Sequence, residues 1–288
     1  MKLIIGVSLL ACAILAGATL ALGVLTSQLL HNTAKRNVVR QAQLMLDSAV
    51  ATRAYTSAEI VPLLNAHIQS EFLPQSVPFY AATQNFLRLR EQHPQYSYKE
   101  ATLNPTNPRD RATDWEADVI QQFRNDAALK ELVGERDTPT GRAIYLARPI
   151  RAGAECMECH GLAESAPKTL LSRYGANNGF GWALDEVVGA QVVSVPASGA
   201  EDDAHSAWVE IMVVIVVVFV GLVAALDAAL FFFVTRPIGR ITAIADSIST
   251  GNSGGDFPAQ HVAELSALSR AFERMRISLE KAMKLLEP

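Results

Sequence analysis

Cysteine is scarce in this chain. Of three in 288 residues, Cys12 lies inside an uncharged apolar run, which leaves only Cys156 and Cys159 elsewhere. That count excludes the dense disulfide framework of a small secreted scaffold. Charge of one sign is not concentrated anywhere either. The formal net charge is −4 and no basic cluster occurs, so no nucleic-acid partner is expected. Residues 3–26 lack charge altogether, and residues 211–226 and 228–234 are almost purely apolar with Asp227 between them.

Both apolar stretches reach the roughly 20 residues that carry a helix across a bilayer. A buried core helix is normally shorter and less uniform than the run IMVVIVVVFVGLV (211–223). The first stretch has an alternative reading as a cleaved signal sequence, because AGATLA (16–21) offers small residues, and LLAC (9–12) faintly matches a lipoprotein box. Its single n-region charge, Lys2, and an apolar run longer than the usual ~7–15 residues favour an uncleaved anchor. Basic residues beside membrane spans mark the cytoplasmic side. Arg236 and Arg240 follow the second run and Lys2 precedes the first, whereas Lys35, Arg36 and Arg40 weigh the other way. Both termini are expected in the cytoplasm, with the intervening residues outside.

Between the spans, residues 27–70 read as helix, with Val39, Leu44, Leu46, Val50 and Ala54 as the apolar stripe and a fresh N-cap at Thr56–Glu59. A second helix fits 79–92, ending near His93-Pro94, and a third starts at Asp114. Tyr96 and Tyr98 suggest a strand before the turns at Asn104-Pro105 and Asn107-Pro108. The clearest strands are 142–150 and 186–197. Helices followed by strands in one domain give an α+β fold. Beyond the second span, Ile238, Ile241, Ala245 and Ile248 step along one helix, and Leu265, Leu268, Phe272, Met275 and Leu279 along another, across the loop GNSGGDFPAQ. The second set is a heptad seam that needs a partner helix, met most simply by a parallel homodimer of four helices. A monomeric hairpin on the membrane surface is the alternative.

The stretch Cys156-Met157-Glu158-Cys159-His160 carries the chemistry. A structural zinc site normally takes four protein ligands, often two such pairs, and there is one pair here. A thioredoxin-type pair needs no following histidine. Cys-x-x-Cys-His is the spacing of c-type haem attachment: Cys156 and Cys159 form two thioethers and His160 is placed to ligate the iron. The haem reading is favoured over the other two because the stretch falls in the segment expected outside the membrane. A second axial ligand is sought among His67, His93, Met45 and Tyr55, with His67 put forward, and an open position is an equal alternative. Lys99, Arg109 and Arg111 are candidates for haem propionates.

At these residues the sequence resembles a family of membrane-anchored, c-type haem-binding sensors with a PAS-like extracytoplasmic domain. The resemblance covers about residues 40–197 and rests on RAYT (53–56), VPFYAA (77–82), YSYKEATLNPTNPRDRATDWE (96–116), CMECHG (156–161), YGANNGFGW (174–182) and VVGAQVVSVP (187–196). It implies one covalent haem c on Cys156 and Cys159 with His160 as axial ligand. Some relatives use a cysteine as the other ligand, and this domain has none to spare. The last segment resembles a HAMP linker, on Pro237, Glu264-Leu265 and ELSALSRAFERM (264–275). The implied arrangement is a first transmembrane helix or signal anchor (1–27), a PAS-like haem domain (28–205), a second transmembrane helix (206–234) and a cytoplasmic HAMP module (235–288). The location implied is a bacterial inner membrane with the haem domain in the periplasm. With the chain ending at Pro288, a separate cytoplasmic output protein is expected. A haem sensor, not an enzyme, is the leading functional reading. The alternative is a membrane-anchored monohaem cytochrome passing electrons to a redox partner, and a peroxidase-like role lacks a distal His-Arg arrangement.

Overall fold

The uncharged opening of the sequence continues without a break into one long helix, α1 (Lys2–Tyr55). The structure, a computed structural model, describes residues 2–68, 70–139, 141–250, 257 and 262–286. A π-helical turn, Thr56–Ile60, leads from α1 into α2 (Val61–Ile68). The fresh N-cap expected at Thr56 is therefore absent. Its hydroxyl instead donates back to the Thr52 carbonyl at 2.8 Å, as a threonine does within a continuing helix.

Helix α3 (Pro78–Gln92) opens with proline, whose missing N–H costs nothing in a first turn. Strand β1 (Ser97–Thr102) follows. Helix α4 (Asp114–Asn125) is anchored at its start by Glu116, which accepts from the Thr113 N–H at 2.8 Å and hydroxyl at 2.9 Å. Then come β2 (Leu132–Thr138), β3 (Gly141–Arg151), the short α5 (Met157–His160), α6 (Lys168–Tyr174) and β4 (Val187–Pro196). The four strands form one antiparallel sheet in the order β1-β4-β3-β2.

Strand β4 lies inside the sheet and is buried along almost its whole length, so its sequence is a near-continuous apolar run. On one face, Val193 and Val195 meet Ile144, Leu146, Phe86 of α3 and the α1 residues Val38, Ala42, Leu46 and Ala49. On the other, Val192, Ala190 and Ala147 meet Val119, Ile120 and Phe123 of α4. The α1 stripe differs from the expected one: Leu44 is 65% exposed and Val50 44%, while Ala42 and Ala49 are fully buried. Small alanines let the helix approach the sheet closely, which the larger side chains would prevent. Strand β2 was not foreseen, because it is an edge strand whose alternate positions Glu135 and Asp137 face solvent.

Residues Gln28–Ser206 form one compact unit, and Met1–Ser27 with Ala207–Pro288 another. The second unit holds α7 (Ser198–Leu230) from Ala207 onward, a π turn at Phe231–Thr235, α8 (Arg236–Ser249) and α9 (Ala263–Leu286). Two helical stretches, Ile5–Leu64 and Ser198–Ser249, are long and apolar enough to cross a membrane. They touch at two levels. The Trp208 indole N–H donates to the Gly23 carbonyl at 2.9 Å, and the Ser8 hydroxyl donates to the Asp227 carboxylate at 2.5 Å. Asp227, an expensive residue in an apolar helix, thus has a hydrogen-bond partner on the neighbouring helix. The expected loop 251–260, apart from Phe257, lies outside the described residues.

Candidate functional site

The Cys-x-x-Cys-His stretch forms a single turn, α5, between β3 and β4, entered through a 3-10 turn at Ala154–Cys156. Two backbone bonds fasten it to the loop before β4: Gly181 N–H to Gly161 O at 2.7 Å and Trp182 N–H to His160 O at 3.1 Å. That loop is glycine-rich for a physical reason. Gly179 has φ +82°, and a Cβ there would lie 2.0 Å from Thr106 Oγ1 and 2.7 Å from the Thr106 nitrogen. Only glycine permits the backbone to pass this close.

The close approach presents the Gly179 carbonyl to His160, whose Nδ1 lies 2.7 Å from it and 3.4 Å from Thr106 Oγ1. A carbonyl oxygen can only accept, so Nδ1 carries the proton and Nε2 keeps its lone pair. This is the tautomer and orientation of a metal-ligating histidine held by its outer hydrogen bond. Burial pushes the His160 pKa down, opposed in part by the Gly179 bond, so the ring is neutral at pH 7. The indole of Trp182 stacks on the imidazole, with centroids 4.0 Å apart and planes 12° from parallel.

Cys156 sits beside a small apolar cluster. Cys156, Met157, Trp182 and Phe79 pack against Ile150, Ala152 and Val188. Burial pushes the pKa of both Cys156 and Cys159 up. A redox-active pair shows the opposite, a lowered thiol pKa at the start of a helix. Among the described residues no group of three or more His, Cys, Asp and Glu is assembled to hold a metal ion. A porphyrin brings its own four nitrogens and asks for one or two protein ligands, which suits a lone histidine beside two thiols.

His67, the expected second ligand, is exposed at the end of α2. Tyr55 is 53% exposed, His93 caps α3 against Tyr96, and Met45 packs on the α1 side of the sheet. Among the described residues the His160 ring meets Thr106, Gly179 and Trp182, and none of these four. Of the expected propionate partners, Lys99 reaches Glu116 at 2.6 Å and the Arg111 carbonyl at 2.7 Å, Arg109 pairs with Asp110 at 3.2 Å, and Arg111 is exposed.

Thr106, Gly179 and Trp182 had no role assigned from sequence. So too Arg53, whose guanidinium lies over the Phe79 ring, Cζ 3.6 Å from its centroid. All lie within the runs that carried the resemblance, and the cluster GANNGFG (175–181) was the readable signal that backbone had to pass close to something. Deeper in the sheet, Glu100 is 4% exposed and accepts a hydrogen bond from the buried Tyr98 hydroxyl. Burial lifts its carboxyl to about 8.

An antiparallel-sheet domain whose separated motifs converge on one histidine, followed by a pair of amphipathic helices, makes this a two-module chain. The sequence matches the Tll0287-like family over residues 31–196 and the HAMP domain over residues 233–281. The chain belongs to the Tll0287-like family, with a HAMP domain following. Among solved structures, that of the cyanobacterial haem-protein Tll0287 is similar at 15% identity and a TM-score of 0.44, covering 55% of this chain and 94% of its own. No curated protein matches the sequence significantly.

Proposed function

We propose that this protein is a membrane-anchored haem c sensor that signals through a HAMP dimer to a cytoplasmic partner. The observation that carries the reading is the His160 ring: its Nδ1 proton is committed to the Gly179 carbonyl, which leaves Nε2 available to an iron. Cys156 and Cys159 would attach one haem covalently, and His160 would ligate its iron. When bound, the haem supplies a one-electron couple and a coordination position for a small ligand. His67 remains the proposed second ligand.

The domain is read as PAS-like and periplasmic, residues 28–205, between transmembrane helices 1–27 and 206–234, with residues 235–288 in the cytoplasm and both termini there. Basic Arg236 and Arg240 after the second span support this orientation. The seam of α9 supports a homodimer: Leu268, Met275 and Leu279 are 41%, 59% and 48% exposed in the single chain. A redox or ligation change at the haem biases the outer domain, α7 and the four-helix bundle between two arrangements. The role is binding and signalling rather than catalysis.

Absorption spectra of the full-length protein, oxidised, reduced and with carbon monoxide, test the sensor reading. A reduced spectrum that changes on adding carbon monoxide is expected of a labile site. Reduction or carbon monoxide should also alter the accessibility of the 235–288 helices to a labelling reagent. Unchanged labelling in every state would remove the signalling role and leave an electron-transfer cytochrome.

A further inference from the structure

Among the described residues one buried side-chain nitrogen or oxygen has no hydrogen-bond partner, the Nε of Arg53. Arg53 forms no ion pair with any described carboxylate, and its guanidinium is instead laid on the Phe79 ring. A buried donor left unpaired is costly, more so when charged, and such an atom asks for a partner.

Its position says which. Phe79 packs in the same cluster as Cys156, Met157 and the indole that stacks on His160. The guanidinium therefore lies over a ring of the same cluster that Cys156 packs against. Its charge also reaches the Cys156 thiol and Glu100. Glu100 does not neutralise it. That carboxyl is buried, takes its hydrogen bond from Tyr98 and keeps its proton at neutral pH. Of the three cations expected from sequence, Lys99 is engaged with Glu116 and Arg109 with Asp110, and Arg111 is exposed at the surface.

Resting on the haem reading above, we propose that Arg53 is the receptor for a haem propionate. A carboxylate is the anion whose geometry the guanidinium fork matches, and the planar contact with Phe79 holds the fork in a fixed plane. The proposal explains why RAYT (53–56) and VPFYAA (77–82) belong to one site with CMECHG: the first supplies the cation, the second the ring that aims it, the third the attachment.

The test uses the full chain, produced together with a c-type haem attachment system, in detergent. Resonance Raman spectra follow the propionate bending band as pH falls. In the unmodified protein one propionate band is expected at the position of a hydrogen-bonded carboxylate, persisting to low pH. Arg53→Gln should move that band and raise its acid transition by about one to three pH units. Arg53→Lys should keep most of the pH behaviour and lose the band position, because charge remains without the fork. An Arg53→Gln protein with both band and transition unmoved overturns the proposal. So does an unmodified protein whose propionate bands all lie at the free, solvated position, a result that does not depend on the variant folding. Absence of covalent haem from the unmodified protein overturns the haem reading and this proposal together, and is distinct from haem present with its bands unmoved.

Discussion

The imidazole of His160 and the indole of Trp182 lie parallel, 4.0 Å between centroids and 12° between planes, while a backbone bond ties the Trp182 N–H to the His160 carbonyl. The histidine is thus held in its backbone, on its ring face and at its Nδ1. Rigid first ligands need such support, since a ring free to rotate spends little time aimed at the metal. Trp182→Ala should lower the stability of the domain by about 2 kcal/mol, below the range for a fully buried tryptophan because this one is half-buried. In the haem-loaded protein it should weaken His160 ligation, seen as a shift of the reduced absorption bands. Trp182→Phe, which keeps a stacking ring, should recover most of both, and chemical denaturation with absorption spectra checks it.

Gly179→Ala should be more damaging than its size suggests. The added methyl meets Thr106 at 2.0 Å and the backbone is held at φ +82°. A loss of about 2–3 kcal/mol is expected from the left-handed conformation and the clash together. Because the same carbonyl fixes the His160 tautomer, the substitution should also broaden or shift the His160 ring resonances in NMR. Gly175→Ala, with φ +78° but open space around its Cβ, serves as the control for conformational strain alone.

Stability should depend on Glu100 in a definite direction. Its carboxyl is raised from 4.5 to about 8 by burial, so the folded state binds a proton that the unfolded chain releases. Stability from this group is full below about pH 4.5, declines as pH rises through the window, and levels off above about 8. The change amounts to a few kcal/mol at most, on the order of the linkage for a buried acid. Glu100→Gln can still accept from Tyr98 and does not titrate. Denaturation midpoints across pH 5–8 should fall for the unmodified protein and fall less for this variant.

Leu268 and Met275 test the dimer. Both are exposed on α9 in the single chain, and charge at either position would be buried in a paired seam. The double substitution Leu268→Glu and Met275→Glu should shift the detergent-solubilised protein from dimer to monomer by sedimentation, with the haem spectrum unchanged. A monomer before substitution would contradict the pairing.

Much of this arrangement was legible from residue order alone, but unevenly. Strands β3 and β4 and helix α3 announced themselves because β-branched runs and proline boundaries are local signals. Strand β2 did not, since an edge strand carries charge and alternates weakly. The inward face of α1 was only partly legible: Leu46 is buried as expected, but much of the burial falls on alanines, which carry almost no hydrophobic signal. At the site, spacing singled out the two thiols and His160, whereas Thr106, Gly179 and Arg53 come to its neighbourhood only because segments far apart in sequence meet. Long-range juxtaposition has no periodicity to betray it.

Covalent attachment of haem is the central claim, and heme-staining of a denaturing gel, with a pyridine haemochrome spectrum, measures it directly. Full-length protein produced with a c-type attachment system should retain haem after denaturation, with a spectrum of two saturated thioether links. The Cys156→Ser, Cys159→Ser double variant should lose it. Unmodified protein that releases all its haem on denaturation, or binds none, would contradict the assignment of Cys156, Cys159 and His160 as its attachment site.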